Sequence, residues 1–356
     1  MRIGLIGLGA AGRSHLALLS QMPEAEVAAI ADLNPATVEA LGAQYGVPCA
    51  VTDPHTLLAD PSLDAIAVTA ADRAHYPLVM ACAAAGKHVL CEKPIATEVA
   101  QGREMVAAMR NADRLLCVSL QLRGSALMRR IKELVDTGAV GAVRMLRLVG
   151  QMAAPDGRDL RERMGEAAAY ARARNICEEG KNALFDCGVH SFDYARFLTG
   201  SDFKRIEAMG YNMRGFSHPD HGVALCEHEN GIMTLIEKGF DYAYEAQQRK
   251  EYVRYEVIGD GGSLAWDLDT QHLRVFGREQ TLDEFWPLGS HNEDRVAIYR
   301  GFFQSVREGK LLPWLASGED GVKAIEAAQA AVESMHAKGV ITRDVGKAAN
   351  WFDGRY

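Results

Sequence analysis

No Cys-x-x-C pair, no charge-free run of about 18 apolar residues and no block of lysines and arginines occurs in this 356-residue chain. The first absence goes with an odd count of seven cysteines, mostly inside apolar runs such as Leu115-Leu116-Cys117-Val118. It speaks against a disulfide framework and for reduced core thiols, as in a cytoplasmic protein. The second leaves no candidate membrane span, and the glycines of Met1-Arg2-Ile3-Gly4-Leu5-Ile6-Gly7 interrupt the apolar run too early for a secretory signal. The third acts together with charge. With 39 Lys and Arg against 47 Asp and Glu, the net charge is −8, and no clustered positive field invites nucleic acid. Internal repeats and low-complexity tracts are missing too. What is present is an ordinary globular composition, 48% hydrophobic and 24% charged, in a chain long enough for two domains.

The first 123 residues alternate short β-type runs with helical patterns. Strands are expected at Arg2 to Ile6, Val27 to Ala31, near Ala50, at Ala65 to Thr69, Lys87 to Cys91 and Leu115 to Leu120, with helices between them. Strict alternation requires crossover connections, hence a doubly wound α/β domain with a parallel sheet covered on both faces. After about residue 124 the pattern changes. Runs at Phe203 to Met213, Gly222 to Glu229, Ile232 to Lys238, Glu251 to Ile258, Ser263 to Asp267 and Gln271 to Phe276 read as strands joined mainly by hairpins, one through Asn230-Gly231. Residues 124–356 therefore form a second, α+β domain with a mainly antiparallel open-faced sheet, ending in an Ala-rich helix from Glu319 to Lys338.

Gly7-Leu8-Gly9-Ala10-Ala11-Gly12 is a G-x-G-x-x-G run that follows a strand, opens a helix and precedes Asp32 at the end of the second strand. Glycines there let the backbone approach a pyrophosphate, while the helix start presents free N–H groups and a positive dipole end. A carboxylate at Asp32 suits a ribose diol and repels a 2′-phosphate, so NAD is favoured over NADP. Further on, Glu92-Lys93-Pro94 ends the fifth strand at the sheet's carboxyl edge, where open α/β sheets bind ligands. The cluster Asp186-Cys187-Gly188-Val189-His190, followed by Asp193, sets Asp186 and His190 on one helical face, with a glycine leaving room for a ring or substrate.

Taken together, GLGAAG, Glu92-Lys93-Pro94 and the D-x-G-x-H run, with Ile258-Gly259-Asp260-Gly261-Gly262-Ser263-Leu264, resemble the glucose-fructose oxidoreductase and inositol dehydrogenase family, Gfo/Idh/MocA. The resemblance spans most of the chain. It implies an NAD(P)-dependent dehydrogenase or reductase of CH–OH groups in which Lys93, Asp186 and His190 line the substrate pocket, and a cis Lys93-Pro94 bond. It also implies a cofactor site of Gly7, Gly9, Ala10, Ala11, Gly12, Asp32, Thr69, His75, Glu92 and Lys93, with Arg123 beside the substrate, and a homodimer or homotetramer. The chemistry is consistent: a neutral imidazole can take the alcohol proton near physiological pH while Lys93 stabilises the developing alkoxide.

Two positions depart from the family pattern. An N-x-x-H run becomes Asp72-Arg73-Ala74-His75, and G-F-x-x-R-F becomes Val118-Ser119-Leu120-Gln121-Leu122-Arg123, of which only the arginine is kept. Asp72 adds negative charge at the pocket rim, and the arginines of 156–174 read as a solvated, charge-balanced helical excursion, so a neutral sugar or cyclitol is expected. His218-Pro219-Asp220-His221 lacks a third ligand at motif spacing, so no metal is expected. The alternatives are a redox-neutral enzyme in which NAD transiently oxidises a sugar to allow glycoside cleavage, and a non-catalytic dinucleotide-sensing regulator. The latter would be expected to lack Lys93 or His190.

Overall fold

The computed structural model describes residues 1–151, 182–212, 218–240, 251–338 and 341–342. Its first elements are β1 (Arg2–Ile6), α1 (Ala10–Leu19), β2 (Glu26–Ala31), α2 (Pro35–Tyr45), β3 (Cys49–Val51), α3 (Pro54–Leu58), β4 (Ala65–Val68), α4 (Asp72–Ala84), β5 (His88–Cys91), α5 (Val99–Asn111) and β6 (Leu116–Val118). The six strands pair in parallel in the order β3-β2-β1-β4-β5-β6. Every residue of β4 is buried, as a strand covered on both faces demands. Local chemistry sets the boundaries. Asn34 caps α2 by accepting from the Ala36 and Thr37 N–H groups, Pro35 opens it, and Gly46 closes it at φ +63°. The strand order reverses between β1 and β4, so the crevice outside their carboxyl ends is where a doubly wound sheet takes its ligand.

Beyond a short 3₁₀ turn, Gln121–Gly124, come α6 (Ala126–Asp136), β7 (Val143–Gln151), α7 (Ala183–Asp186), α8 (Gly188–Thr199), β8 (Phe203–Asn212), β9 (His221–His228), β10 (Met233–Gly239), β11 (Tyr252–Gly259), β12 (Gly262–Asp267), β13 (His272–Gly277), β14 (Thr281–Phe285) and β15 (Ile341–Thr342). These strands form one nine-stranded sheet, β14-β13-β12-β11-β7-β10-β9-β8-β15. The hairpins expected from the sequence are present. The central strand β7 is not among the expected ones: it pairs antiparallel with β11 and parallel with β10. Only long-range pairing brings Val143–Gln151 there, which is why no local turn signal announced it.

One register row runs Glu207, Leu225, Leu235, Arg147, Glu256, Ala265, Arg274 and Asp283 across eight strands. On the same face Met209, Leu225, Phe276 and Phe285 are 55, 46, 60 and 63% exposed. The opposite face, with Ile236, Leu148, Tyr255, Trp266 and Leu273, is buried.

Contacts divide the chain into two compact units, Met1–Arg129 with Gly289–Ile325, and Arg130–Leu288 with Glu326–Tyr356. The stretch 289–325, which the sequence reading assigns with everything past residue 123 to the second domain, packs into the first unit. The reason is apolar burial: from α9 (His291–Glu308), Ile298, Tyr299, Phe302 and Phe303 join Leu5, Leu16, Leu19 and Leu90 in one core. The helix is set by a capping box in which Ser290 and Glu293 satisfy each other's backbone N–H. The Ala-rich helix α10 (Gly318–Lys338) follows, as expected.

Candidate active site

The glycine turn in the first unit owes its shape to close backbone approach. Gly7 has φ +98°, and a Cβ there would lie 2.4 Å from the Ala70 backbone, while a Cβ at Gly12 would come within 1.8 Å of the Gly7 carbonyl oxygen. Gly9 differs: a Cβ there would meet nothing within 4 Å. It is the cap residue of α1, and among the described residues no side-chain hydrogen bond caps the helix. Thr69 Oγ1 donates to the Gly7 carbonyl at 2.7 Å and holds the turn against β4. The Asp32 carboxylate accepts from the Leu8 N–H at 2.6 Å and the Asn34 N–H at 2.9 Å. An uncapped helix start, an open glycine and a carboxylate fixed by backbone donors fit a dinucleotide's pyrophosphate and ribose.

At the end of β5 the chain turns through a cis Lys93–Pro94 bond, as the resemblance implied. Two side chains brace this loop. Glu92 Oε2 accepts from the Lys93 N–H at 3.0 Å, and His75, wholly buried, sets Nδ1 2.8 Å from the Pro94 carbonyl and Nε2 3.0 Å from that of Ala70. Lys93 itself is half-buried. Behind it lies a network absent from the sequence reading. His15 Nε2 is 2.8 Å from Glu92 Oε1, and its Nδ1 is 2.7 Å from the buried Tyr299 hydroxyl; Arg295 Nε stands 3.9 Å from the same carboxylate. Burial pushes the Glu92 carboxyl up, but His15, Arg295 and the Lys93 N–H outweigh it and hold the group well below the usual carboxylate range. His15 lies one turn beyond Gly12, on the buried side of α1 with Leu16 and Leu19; a histidine among leucines on an inward face is the signal that could have revealed it.

In the second unit, Asn182 caps α7 by accepting from the Phe185 N–H at 3.0 Å. Asp186 ends α7 and His190 stands in the first turn of α8, with Cys187 between the helices in near-helical geometry. The spacing from 186 to 190 is thus close to one helical turn, and both side chains are half-buried. Gly188 does not open room for a ligand. A Cβ there would meet Phe192 and Ala183 at 3.5 and 3.6 Å, ordinary packing distances inside the protein. His221 turns to Glu237 at 3.1 Å and stacks on Tyr211. Among the described residues no cluster of three or more His, Cys, Asp or Glu could hold a metal ion. The arginine-bearing segment 156–174 lies outside the described residues.

Arg123, expected beside the substrate, is 4% exposed and pairs with Asp320 at 3.1 Å while donating to the Leu315 carbonyl, all within the first unit. The thiols of Cys82, Cys117 and Cys226 are pushed up to about 12 by burial, the behaviour of inert core residues.

Residues 1–120 match the oxidoreductase family with an NAD-binding Rossmann fold, and residues 128–265 match the GFO/IDH/MocA C-terminal domain. The chain is 28% identical over 347 residues to a myo-inositol 2-dehydrogenase of Thermotoga maritima, covering 95% of this chain and 97% of that one. In three dimensions it is similar to a probable dehydrogenase from Thermotoga maritima, with TM-score 0.79, 25% identity and coverage of 95% and 98%. A levoglucosan dehydrogenase solved with NADH and levoglucosan, 21% identical, shares the fold at TM-score 0.79 over 95% of this chain and 98% of that one. With both of the family's domains matched in order, the chain belongs to the GFO/IDH/MocA oxidoreductases and is an enzyme of the dehydrogenase/reductase class, built on an NAD-binding Rossmann domain.

Proposed function

We propose that this enzyme transfers a hydride between NAD and a secondary hydroxyl of a sugar, sugar derivative or cyclitol, with Lys93, Asp186 and His190 as its catalytic residues. One observation carries the reading: a half-buried lysine on a cis loop braced from both sides, at the carboxyl end of β5, in the same unit as an uncapped, glycine-lined helix start. The names of the related inositol and levoglucosan dehydrogenases support the substrate class. In this proposal residues 1–123 serve dinucleotide binding and 124–356 serve the substrate and assembly. Gly7, Gly9, Ala10, Ala11, Gly12 and Asp32 hold the cofactor, while Thr69, His75 and Glu92 act by fixing the turn and the loop that face it.

Bound NAD supplies the hydride acceptor. The protein does the rest. His190 takes the hydroxyl proton, Lys93 donates a hydrogen bond to the oxygen as alkoxide character grows, and Asp186 accepts from a neighbouring hydroxyl and so orients the substrate. The reading is tested by following NADH absorbance while purified protein and NAD meet polyols, aldoses and uronates. Accumulating NADH supports it; turnover of a glycoside with no net NADH would favour the redox-neutral alternative, and no oxidation of any member of the panel would reject it.

Asp32 gives a cofactor prediction. Its carboxylate, held by two backbone N–H groups, repels a 2′-phosphate, so NAD is expected to be used at least about tenfold better than NADP, about 1.4 kcal/mol. Asp32→Ala narrows the gap in parallel kcat/KM measurements, and equal use of NADP by the unaltered enzyme would contradict the assignment.

The open face of the nine-stranded sheet calls for a cover. Its exposed Met209, Leu225, Phe276 and Phe285 lie among charges of both signs, the mixture of an interface more than of a solvated surface. A homodimer or homotetramer joined through this face is expected in light scattering at micromolar concentration, and a monomer there would reject it. Among the described residues no helix is long and apolar enough to cross a membrane, and a cytoplasmic location is proposed from the odd cysteine count and the burial of Cys82, Cys91, Cys117 and Cys226.

A further inference from the structure

Lys238 lies where a strand of this kind should carry an apolar side chain. It follows Thr234 and Ile236 along the buried face of β10, the face on which α7 and α8 pack. Its register neighbours are glycines on both sides: Gly222 on β9 and Gly150 on β7, with Gly210 of β8 beyond. The row has two uses. A Cβ at Gly222 would lie 2.8 Å from Leu184 of α7, and one at Gly210 would lie 2.7 Å from Met335 Sδ, so these glycines let apolar side chains descend onto the sheet. Gly150 instead makes room for the ammonium, since a Cβ there would come within 2.3 Å of Lys238 Nζ.

The lysine is half-buried, and among the described residues no hydrogen bond or ion pair satisfies its ammonium. Burial pushes its pKa below the usual lysine value, and only the Cys187 thiol works in the other direction. Leu184 of α7 lies over Gly222, the register neighbour of Lys238, and Cys187 adjoins Asp186 and donates to its Oδ2 at 3.6 Å, so the cation stands by the turn between α7 and α8. A half-buried ammonium with no anion beside it among the described residues is costly, and a strand so placed would be more stable with a leucine unless a ligand brings the counter-charge.

We propose that Lys238 is a substrate-binding residue that receives the carboxylate of a sugar acid beside Asp186, and that it sets the enzyme's preference for acidic over neutral sugars. This rests on the reading that Asp186 and His190 face the substrate. It departs from the neutral substrate expected from the sequence, which counted Lys93, Arg123 and the arginines of 156–174 as the available cations. Arg123 is engaged by Asp320, and Lys238 was not counted.

The test uses the full-length enzyme saturated with NAD. Binding of D-glucuronate, D-galacturonate and D-gluconate is measured by calorimetry against D-glucose, D-galactose and myo-inositol, alongside kcat/KM for each. The acids are expected to bind at least about tenfold tighter than their neutral counterparts, a charge-assisted contact's worth. Lys238→Met brings that ratio to about one, Lys238→Arg keeps most of it, and Gly150→Ala, which displaces the ammonium without removing it, reduces it. Wild-type enzyme that binds no acid, or binds neutral sugars as well, overturns the proposal; so does a Lys238→Met variant that melts like wild type and keeps the preference. The two readings separate cleanly. Neutral sugars oxidised with no acid preference defeat the role of Lys238 alone, whereas Lys238-dependent binding of acids without any oxidation defeats the dehydrogenase reading alone.

Discussion

Lys93→Met and His190→Ala are each expected to lower kcat by about 100-fold or more while NAD affinity changes little. The asymmetry follows from where each interaction is made. A proton acceptor and a hydrogen-bond donor on the reacting oxygen matter most when the alkoxide forms, so their loss appears in kcat and kcat/KM together. NAD, by contrast, is held in the proposed site by the glycine turn and by Asp32, which neither substitution touches. Methionine at 93 keeps the length and apolar stem of lysine and leaves the cis Lys93–Pro94 loop braced through the Glu92 and His75 contacts, which involve the backbone of residues 93 and 94. Single-turnover kinetics and NAD titration by fluorescence check both halves of the expectation. Near-normal turnover by either variant would remove that residue from the catalytic set.

His15→Ala is expected to destabilise the protein by about 3 kcal/mol at neutral pH, the cost of leaving a buried carboxylate without its partner. Glu92 Oε1 loses its 2.8 Å contact with His15, while Arg295 stands 3.9 Å from that oxygen, beyond hydrogen-bond distance. The pH dependence has a definite sign. The Glu92 carboxyl is held below its ordinary value of 4.5, so its contribution is fully present above that pH and is lost as pH falls toward the folded-state value. In the variant, burial acts with less opposition and raises that value, so the stability gap between wild type and His15→Ala should shrink as pH falls from 7 to 4. Denaturant unfolding at the two pH values measures it. Adding Glu92→Gln should recover part of the loss at pH 7, because a neutral amide needs no counter-charge. A constant gap across pH, or no recovery in the double variant, would show that His15 acts by packing alone.

The Lys93 loop and the glycine turn were legible because their chemistry is local. A G-x-G-x-x-G run can be recognised from six positions, since each glycine answers a steric demand within a few residues or on the adjacent strand; Gly12 sits against the Gly7 carbonyl. The hairpin at Asn230-Gly231 is local in the same sense, and Gly231 adopts φ +83° there. His15 and Glu92 are 77 positions apart, and Tyr299 is 284 beyond His15; no spacing rule connects them. The room credited to Gly188 is taken by its own neighbourhood: a Cβ there would meet Phe192, one turn on in the same helix, and Ala183 of the preceding turn, and which rotamer Phe192 adopts is not written in the spacing.

By itself the sequence determined the doubly wound first domain, the antiparallel character of the second, the glycine turn with Asp32, and the lysine ahead of proline. All of these follow from periodicity, turn chemistry and short-range sterics, which act between residues close along the chain. Tertiary structure alone decided that residues 289–325 complete the first core, that Val143–Gln151 runs through the middle of the second sheet, and that Arg123 is engaged by Asp320. It also decided that Lys238 meets glycines on both neighbouring strands. These depend on which distant segments share a register or bury each other's apolar surface, and that choice is made by packing across the whole chain.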